Sequence, residues 1–195
     1  MLIYLFRHGE TEWNIQKRYT GTADVPLSKE GRRKLRALDC SVSVVYTSDL
    51  SRAQETARIL FPDARIIPIH GLREMSFGDF TGHNFDELQH DPAYRTWVEG
   101  GCVHCCPNGE EDRDGFTARV CRTFSRLVDD ALREDARYLM IVAHGGTQMA
   151  VMSRFVQSTC DYFDWQTGNG GAFVLDSARW EEDRMLQLVG TLNRN

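Results

Sequence analysis

Apolar runs of strand length alternate with stretches of helical period along most of this chain. Residues 2–6, Leu-Ile-Tyr-Leu-Phe, form a short apolar run that predicts a buried strand. Residues 42–47, 65–69 and 138–143 predict three more strands, and residues 171–175 and 184–189 two closing ones. Ser28 caps a predicted helix over 29–37. Ser48 or Asp49 caps another, in which Leu50, Ala53, Ala57 and Leu60 share a face. A long helix is predicted over 112–130, with Phe116, Val120, Phe124, Leu127 and Ala131 on one stripe, and a last one runs from Gly145-Gly146 to about Gln157. Strands alternating with helices imply an α/β fold: a three-layer sandwich with a mostly parallel central sheet flanked by helices. Residues 72–112 break the rhythm. They are rich in glycine, with short helices expected near 84–89 and 93–99. The expectation is one domain over 1–195, with 72–112 as an excursion over the active site.

Composition narrows the function classes. Of 195 residues, 42% are hydrophobic and 26% charged, as in ordinary globular proteins. The net charge of −5 and the absence of a Lys/Arg-rich run argue against a nucleic-acid partner. An anionic substrate would therefore need a few local cations in a pocket. The apolar run at 2–6 is too short for a signal peptide or a membrane span, so the expected location is the cytoplasm, with no membrane partner. The six cysteines are then expected as free thiols.

In parallel sheets, ligands bind beyond the carboxyl ends of the strands. Two such turns carry a histidine followed by glycine: Arg7-His8-Gly9-Glu10 and His144-Gly145-Gly146. Arg7 adds a guanidinium that can bind two phosphate oxygens at once. Arg52, in the first turns of the helix after the second strand, sits where the helix dipole also favours an anion.

The string Arg7-His8-Gly9-Glu10-Thr11-Glu12-Trp13-Asn14 resembles the signature of the histidine phosphatase (phosphoglycerate-mutase-like) superfamily. Four further blocks resemble that family in its order: Thr20-Gly21 with Asp24-Val25-Pro26-Leu27-Ser28, Thr47 to Ala53, Leu72-Arg73-Glu74 with Phe77-Gly78, and Ala143-His144-Gly145. The resemblance implies a phosphoglycerate-mutase-like fold and a nucleophilic His8 that is transiently phosphorylated. It implies Glu74 as the acid that protonates the leaving group. Arg7, Arg52 and His144 would surround the phosphoryl oxygens, and Asn14, Thr20, Gly21 and Gly145 would complete the cradle. No metal or other cofactor is needed, because the cations are side chains.

Within the superfamily, Glu74 is followed by Met75-Ser76-Phe77, not by the Arg-His-Tyr expected of a mutase, and Arg95 is the only Lys or Arg in 79–112. Phe77-Gly78-Asp79-Phe80, the Pro107-Asn108-Gly109-Glu110 turn leading to Phe116 and Arg119-Val120, and the segment 165–173 are similar to α-ribazole phosphatases, which act late in cobalamin nucleotide-loop assembly. Glu111 departs from the Ser or Gly of many relatives. The expected activity is hydrolysis of a small phosphate ester by a monomer or homodimer. A cofactor-dependent phosphoglycerate mutase and a non-catalytic phosphate-binding regulatory module remain as alternatives. Cys102, His104, Cys105 and Cys106 offer soft ligands for zinc, but adjacent Cys105 and Cys106 cannot easily face one ion. Ordinary thiols on a loop are expected there. Phe77, Phe80, Phe85, Tyr94 and Trp97 are expected to underlie the excursion, with a wall for an apolar leaving group as the other reading.

Overall fold

The computed structural model describes residues 1–193. Strands β1 (Leu2–Arg7), β2 (Val44–Ser48), β3 (Arg65–Ile69), β4 (Tyr138–Ala143), β5 (Ala172–Asp176) and β6 (Gln187–Leu192) form one sheet in the order β3-β2-β4-β1-β5-β6. The first four in that order run parallel, and β5 and β6 pair antiparallel along one side. The helices are α1 (Glu12–Ile15), α2 (Lys29–Lys34), α3 (Ser51–Leu60), α4 (Phe85–Leu88), α5 (Pro92–Glu99), α6 (Arg113–Arg133), α7 (Gly145–Phe155) and α8 (Trp180–Asp183).

The sheet has two buried faces because its central strands are apolar on both. In β4, Leu139, Ile141 and Ala143 join the core under α6 and α7, while Met140 and Val142 join the core under α3. Period-two alternation turns successive side chains to opposite faces, so a continuous apolar run fills both layers. The stripe foreseen on α6, Phe116 to Ala131, is buried throughout. Among the described residues no helix is long and apolar enough to cross a membrane.

Several boundaries differ from the sequence pattern. Helix α2 ends at Lys34, not at 37, because Leu35 turns extended (ψ 143) and drops into the α3-side core. Neither Ser48 nor Asp49 caps α3. Its N-cap is Leu50, and the orphan N–H of Ser51 donates instead to Asp24 Oδ1 at 2.7 Å. The last strand starts at Gln187 because Trp180 buries itself in the core and draws 180–183 into a helical turn, closed by Arg184 in the left-handed region. Helix α1, absent from the pattern, is a single turn held by a Thr11–Asn14 capping box.

Candidate active site

The carboxyl ends of the four parallel strands carry the predicted residues. Across the sheet from β3 to β1 they are Glu74, Arg52, His144 and then Arg7 with His8. Parallel strands point the same way, so residues far apart in sequence arrive at one edge.

His8 follows the last residue of β1 and is 5% exposed. Its Nδ1 lies 2.6 Å from the carbonyl of Gly9. A carbonyl can only accept, so Nδ1 carries the proton and Nε2 keeps its lone pair. The rings of His8 and His144 stand edge to face, with centroids 5.3 Å apart. Burial, then the charges of Arg52 and Arg7, hold the His8 pKa well below the ordinary 6.5. His144 is likewise held well below that value by burial, then by Arg52, His8, Arg7 and Arg119. Both imidazoles are therefore neutral near pH 7.

Arg52 is wholly buried, and its Nη1 and Nη2 donate to the carbonyls of Ala23 and Gly21 at 2.7 and 2.8 Å. Burial lowers its pKa to about 10, so it stays charged at neutral pH. Arg7 Nη1 donates to Thr167 O at 2.9 Å and to Gln166 Oε1 at 3.2 Å. The Nε atoms of both arginines and both ring nitrogens of His144 are buried without a hydrogen-bond partner. Unpaired buried polar groups each cost about 1–3 kcal/mol, and three of these can donate to an anion: the two guanidinium Nε–H groups and the single N–H of a neutral His144.

Arg7, His8 and Arg52 open on a cavity of about 410 Å³, also lined by Asn14, Thr20, Gly21, Glu74 and Gly145, whereas His144 is wholly buried beside His8 and does not line it. Gly21 has φ +51, and a Cβ there would stand 2.8 Å from the Met75 carbonyl, so only glycine lets the 20–23 turn meet the Glu74 segment. Asn14 Oδ1 accepts from Thr11 N and Asn169 Nδ2, which leaves its own amide N–H groups for the cavity. Glu74 accepts from the N–H of Met75 and of Gly146, both at 3.0 Å, and so docks on the first turn of α7.

Other residues here had no signal in the sequence. Asn169 donates to the carbonyls of His8 and Gly9 and to Asn14. It arrives through the loop entering β5, whose antiparallel course starts beside the carboxyl end of β1. Gln148 ties Leu5 O to Thr167, and Thr56 accepts from Gly9 N–H at 2.8 Å. Arg18 and Arg113 also line the cavity. Arg18 is paired with Glu87, and Arg113 donates to Gly101 O and lies over the Tyr162 ring at 5.1 Å. Of the excursion aromatics, Phe77 and Trp97 line the cavity with Tyr19, Tyr162 and Phe163, whereas Phe80 and Tyr94 are buried beneath and Phe85 is exposed. Cys102 lines the cavity, Cys106 is buried and Cys105 exposed. Among the described residues no cluster of His, Cys, Asp or Glu suits a metal ion.

The sequence profile of the Histidine phosphatase superfamily (branch 1) matches residues 3–185. The chain belongs to this superfamily. As a histidine phosphatase it is 34% identical over 166 residues to the Adenosylcobalamin/alpha-ribazole phosphatase of Salmonella typhimurium, covering 80% of each chain. It is 30% identical over 167 residues to 2,3-bisphosphoglycerate-dependent phosphoglycerate mutase 2 of Gloeobacter violaceus, covering 77% of this chain and 74% of that one. The crystal structure of the alpha-ribazole phosphatase from Shigella flexneri superposes with a TM-score of 0.80 at 28% identity, covering 99% of this histidine phosphatase and 96% of that chain.

The buried imidazoles of this histidine phosphatase make its stability depend on pH. Well above 6.5 both rings are neutral folded or unfolded, and they contribute no slope. Below 6.5 the unfolded chain binds two protons that the folded chain refuses, so stability falls by about 1.4 kcal/mol per pH unit for each. The thermal midpoint should drop as pH falls from 6.5 towards 5, and His8→Asn should remove one proton's share of that slope. Equal slopes in both proteins would mean that His8 is not held neutral.

Proposed function

We propose that the protein is a phosphomonoesterase that hydrolyses a small phosphorylated metabolite through a phosphohistidine on His8, with α-ribazole 5′-phosphate as the substrate class. The observation that carries this reading is the imidazole of His8, fixed in one tautomer by Gly9 and set among Arg7, Arg52 and His144, whose unpaired nitrogens suit phosphoryl oxygens.

In the first step Nε2 of His8 forms a bond to phosphorus while the bond from phosphorus to the ester oxygen breaks. Glu74, as general acid, gives a proton to that departing oxygen. In the second step water adds to phosphorus and gives a proton to Glu74. The P–N bond breaks, and its electron pair returns to Nε2. The loose transition state spreads charge over three equatorial oxygens, and the two guanidinium groups with the α7 N-terminus neutralise it.

The walls favour hydrolysis of an ester with a flat apolar leaving group. Tyr19, Phe77 and Trp97 pack against one another with centroids 5.0–6.2 Å apart, and Tyr162 and Phe163 stand in the same cavity. The rim cation Arg18 is neutralised by Glu87, which leaves it poorly suited to hold a phosphoglycerate carboxylate. We read 1–195 as one catalytic domain whose 72–112 excursion supplies part of this wall.

The mutase reading rests on relatives such as the Gloeobacter protein. Inorganic phosphate release from α-ribazole 5′-phosphate, measured beside isomerisation of 3-phosphoglycerate, separates the two. Release without isomerisation is expected, and the reverse would overturn the proposal. Glu74→Gln should lower kcat/KM, which covers only the phosphorylation of His8, by about 10²–10⁴-fold for alkyl phosphates. Dinitrophenyl phosphate, whose oxygen leaves without a proton, should be nearly unaffected. Equal slowing of both would contradict Glu74 as the acid.

A further inference from the structure

Glu74 sits on backbone that belongs to no helix or strand, residues 73–77, so no ladder of its own holds it in place. Its segment is tied down from outside. On one side Arg73 Nε donates to Asp49 Oδ1 at 2.6 Å, just beyond the end of β2. On the other side stands Arg119 of α6. Its Nη1 bridges the carbonyls of Gly71 and Arg73 at 3.2 and 3.1 Å, the two that flank the approach to Glu74. Its Nε donates to Glu111 Oε2 at 3.1 Å, and its Nη2 pairs with Glu111 Oε1.

That arrangement uses the planar fork fully. One edge of the guanidinium meets a carboxylate in two parallel bonds, and the opposite corner spans two backbone carbonyls. Only 24% of the Arg119 side chain and 18% of that of Glu111 are exposed, so the pair is shielded from solvent screening. The guanidinium also lies over the Phe116 ring at 5.3 Å. Phe116 reaches the other end of the Glu74 link: a Cβ on Gly146 would stand 3.1 Å from Phe116 Cζ and 2.2 Å from Glu74 Oε1. One face of α6 therefore sets both the segment that carries Glu74 and the N–H that receives its carboxylate.

We infer that Arg119, held in register by Glu111, is a positioning residue that fixes where the Glu74 carboxyl meets the leaving-group oxygen. Arg119 does not line the cavity, so it acts through Glu74 and not on the substrate. The inference rests on the reading of Glu74 as general acid.

The test is leaving-group dependence of kcat/KM in Arg119→Met, which keeps the stem and removes the fork. An alkyl phosphate should be turned over about 10–100-fold more slowly, and dinitrophenyl phosphate within about threefold of wild type. Inhibition by inorganic phosphate should change little, because Arg119 donates only to Glu111 and to the carbonyls of Gly71 and Arg73, and reaches the His8 cage only through the distant field of its charge on His144. Arg119→Lys should recover part of the loss, since an ammonium can still donate to one carbonyl. Glu111→Gln, which keeps shape and an acceptor, should show the same selectivity more weakly, and it decides alone if Arg119→Met does not fold. A loss equal for both esters, no loss for either, or weakened phosphate inhibition would overturn the positioning role. Glu74→Gln run in parallel separates the causes. If it shows selectivity and the Arg119 and Glu111 variants do not, only the positioning fails. If Glu74→Gln itself lacks selectivity, the acid assignment falls and takes this inference with it.

Discussion

His8→Ala should abolish turnover, lowering kcat/KM for an aryl phosphate by at least about 10⁴-fold. Alanine leaves the phosphate cage standing, so the substrate can still bind. The atom that forms the bond to phosphorus is gone. His144 cannot stand in for it. Its ring is wholly buried, edge to face with His8, and it does not line the cavity. Arg7, Arg52 and the α7 N-terminus would still favour attack by water, and this leaves a small residual rate. Radiolabelled phosphoryl transfer provides a second readout. Wild-type protein quenched in base during turnover should retain label on histidine, since phosphohistidine survives base, and His8→Ala should retain none. An alanine variant that hydrolysed the ester as fast as wild type would end the catalytic reading.

Arg52→Lys carries the second largest effect, a loss of about 10²–10³-fold in kcat/KM. Two losses combine. Arg52 holds the 21–23 turn through two donors at once, and a lysine ammonium cannot span the Gly21 and Ala23 carbonyls and also face a phosphoryl oxygen. The burial that brings Arg52 down to about 10 acts on a lysine that starts about two units lower, so the substituted ammonium is driven towards its neutral form. Inhibition by inorganic phosphate should weaken in parallel, because ground-state anion binding uses the same group. Near-normal turnover would place Arg52 outside the chemistry.

Arg52 also shows what the sequence conceals. Its place at a helix start after a strand suggests an exposed cation beside a dipole. In the fold its guanidinium is wholly buried, and the capping role expected of Ser48 or Asp49 is taken over by a carboxylate from another segment: the first N–H of α3 finds Asp24, not a neighbour along the chain. Likewise Phe77 and Trp97, expected beneath the excursion, divide the task with Phe80 and Tyr94: the first two face the cavity and the second two the core. Their spacing in sequence does not distinguish the two sides of an irregular segment, because no fixed period relates one side chain to the next.

The alternation of apolar and polar positions determined the strands, the long helices and the parallel edge where His8, Arg52 and His144 gather, since side-chain direction in regular elements follows from period alone, whereas Glu74, on irregular backbone, was marked only by the family resemblance. Tertiary structure alone decided which polar groups meet across long separations: Asn169 with His8, Gln148 with Thr167, Arg119 with the carbonyls before Glu74, and Asp24 with Ser51. Such contacts depend on where segments cross after the sheet has closed and the helices have packed. A buried donor or acceptor must then take the partner that the packing brings near it.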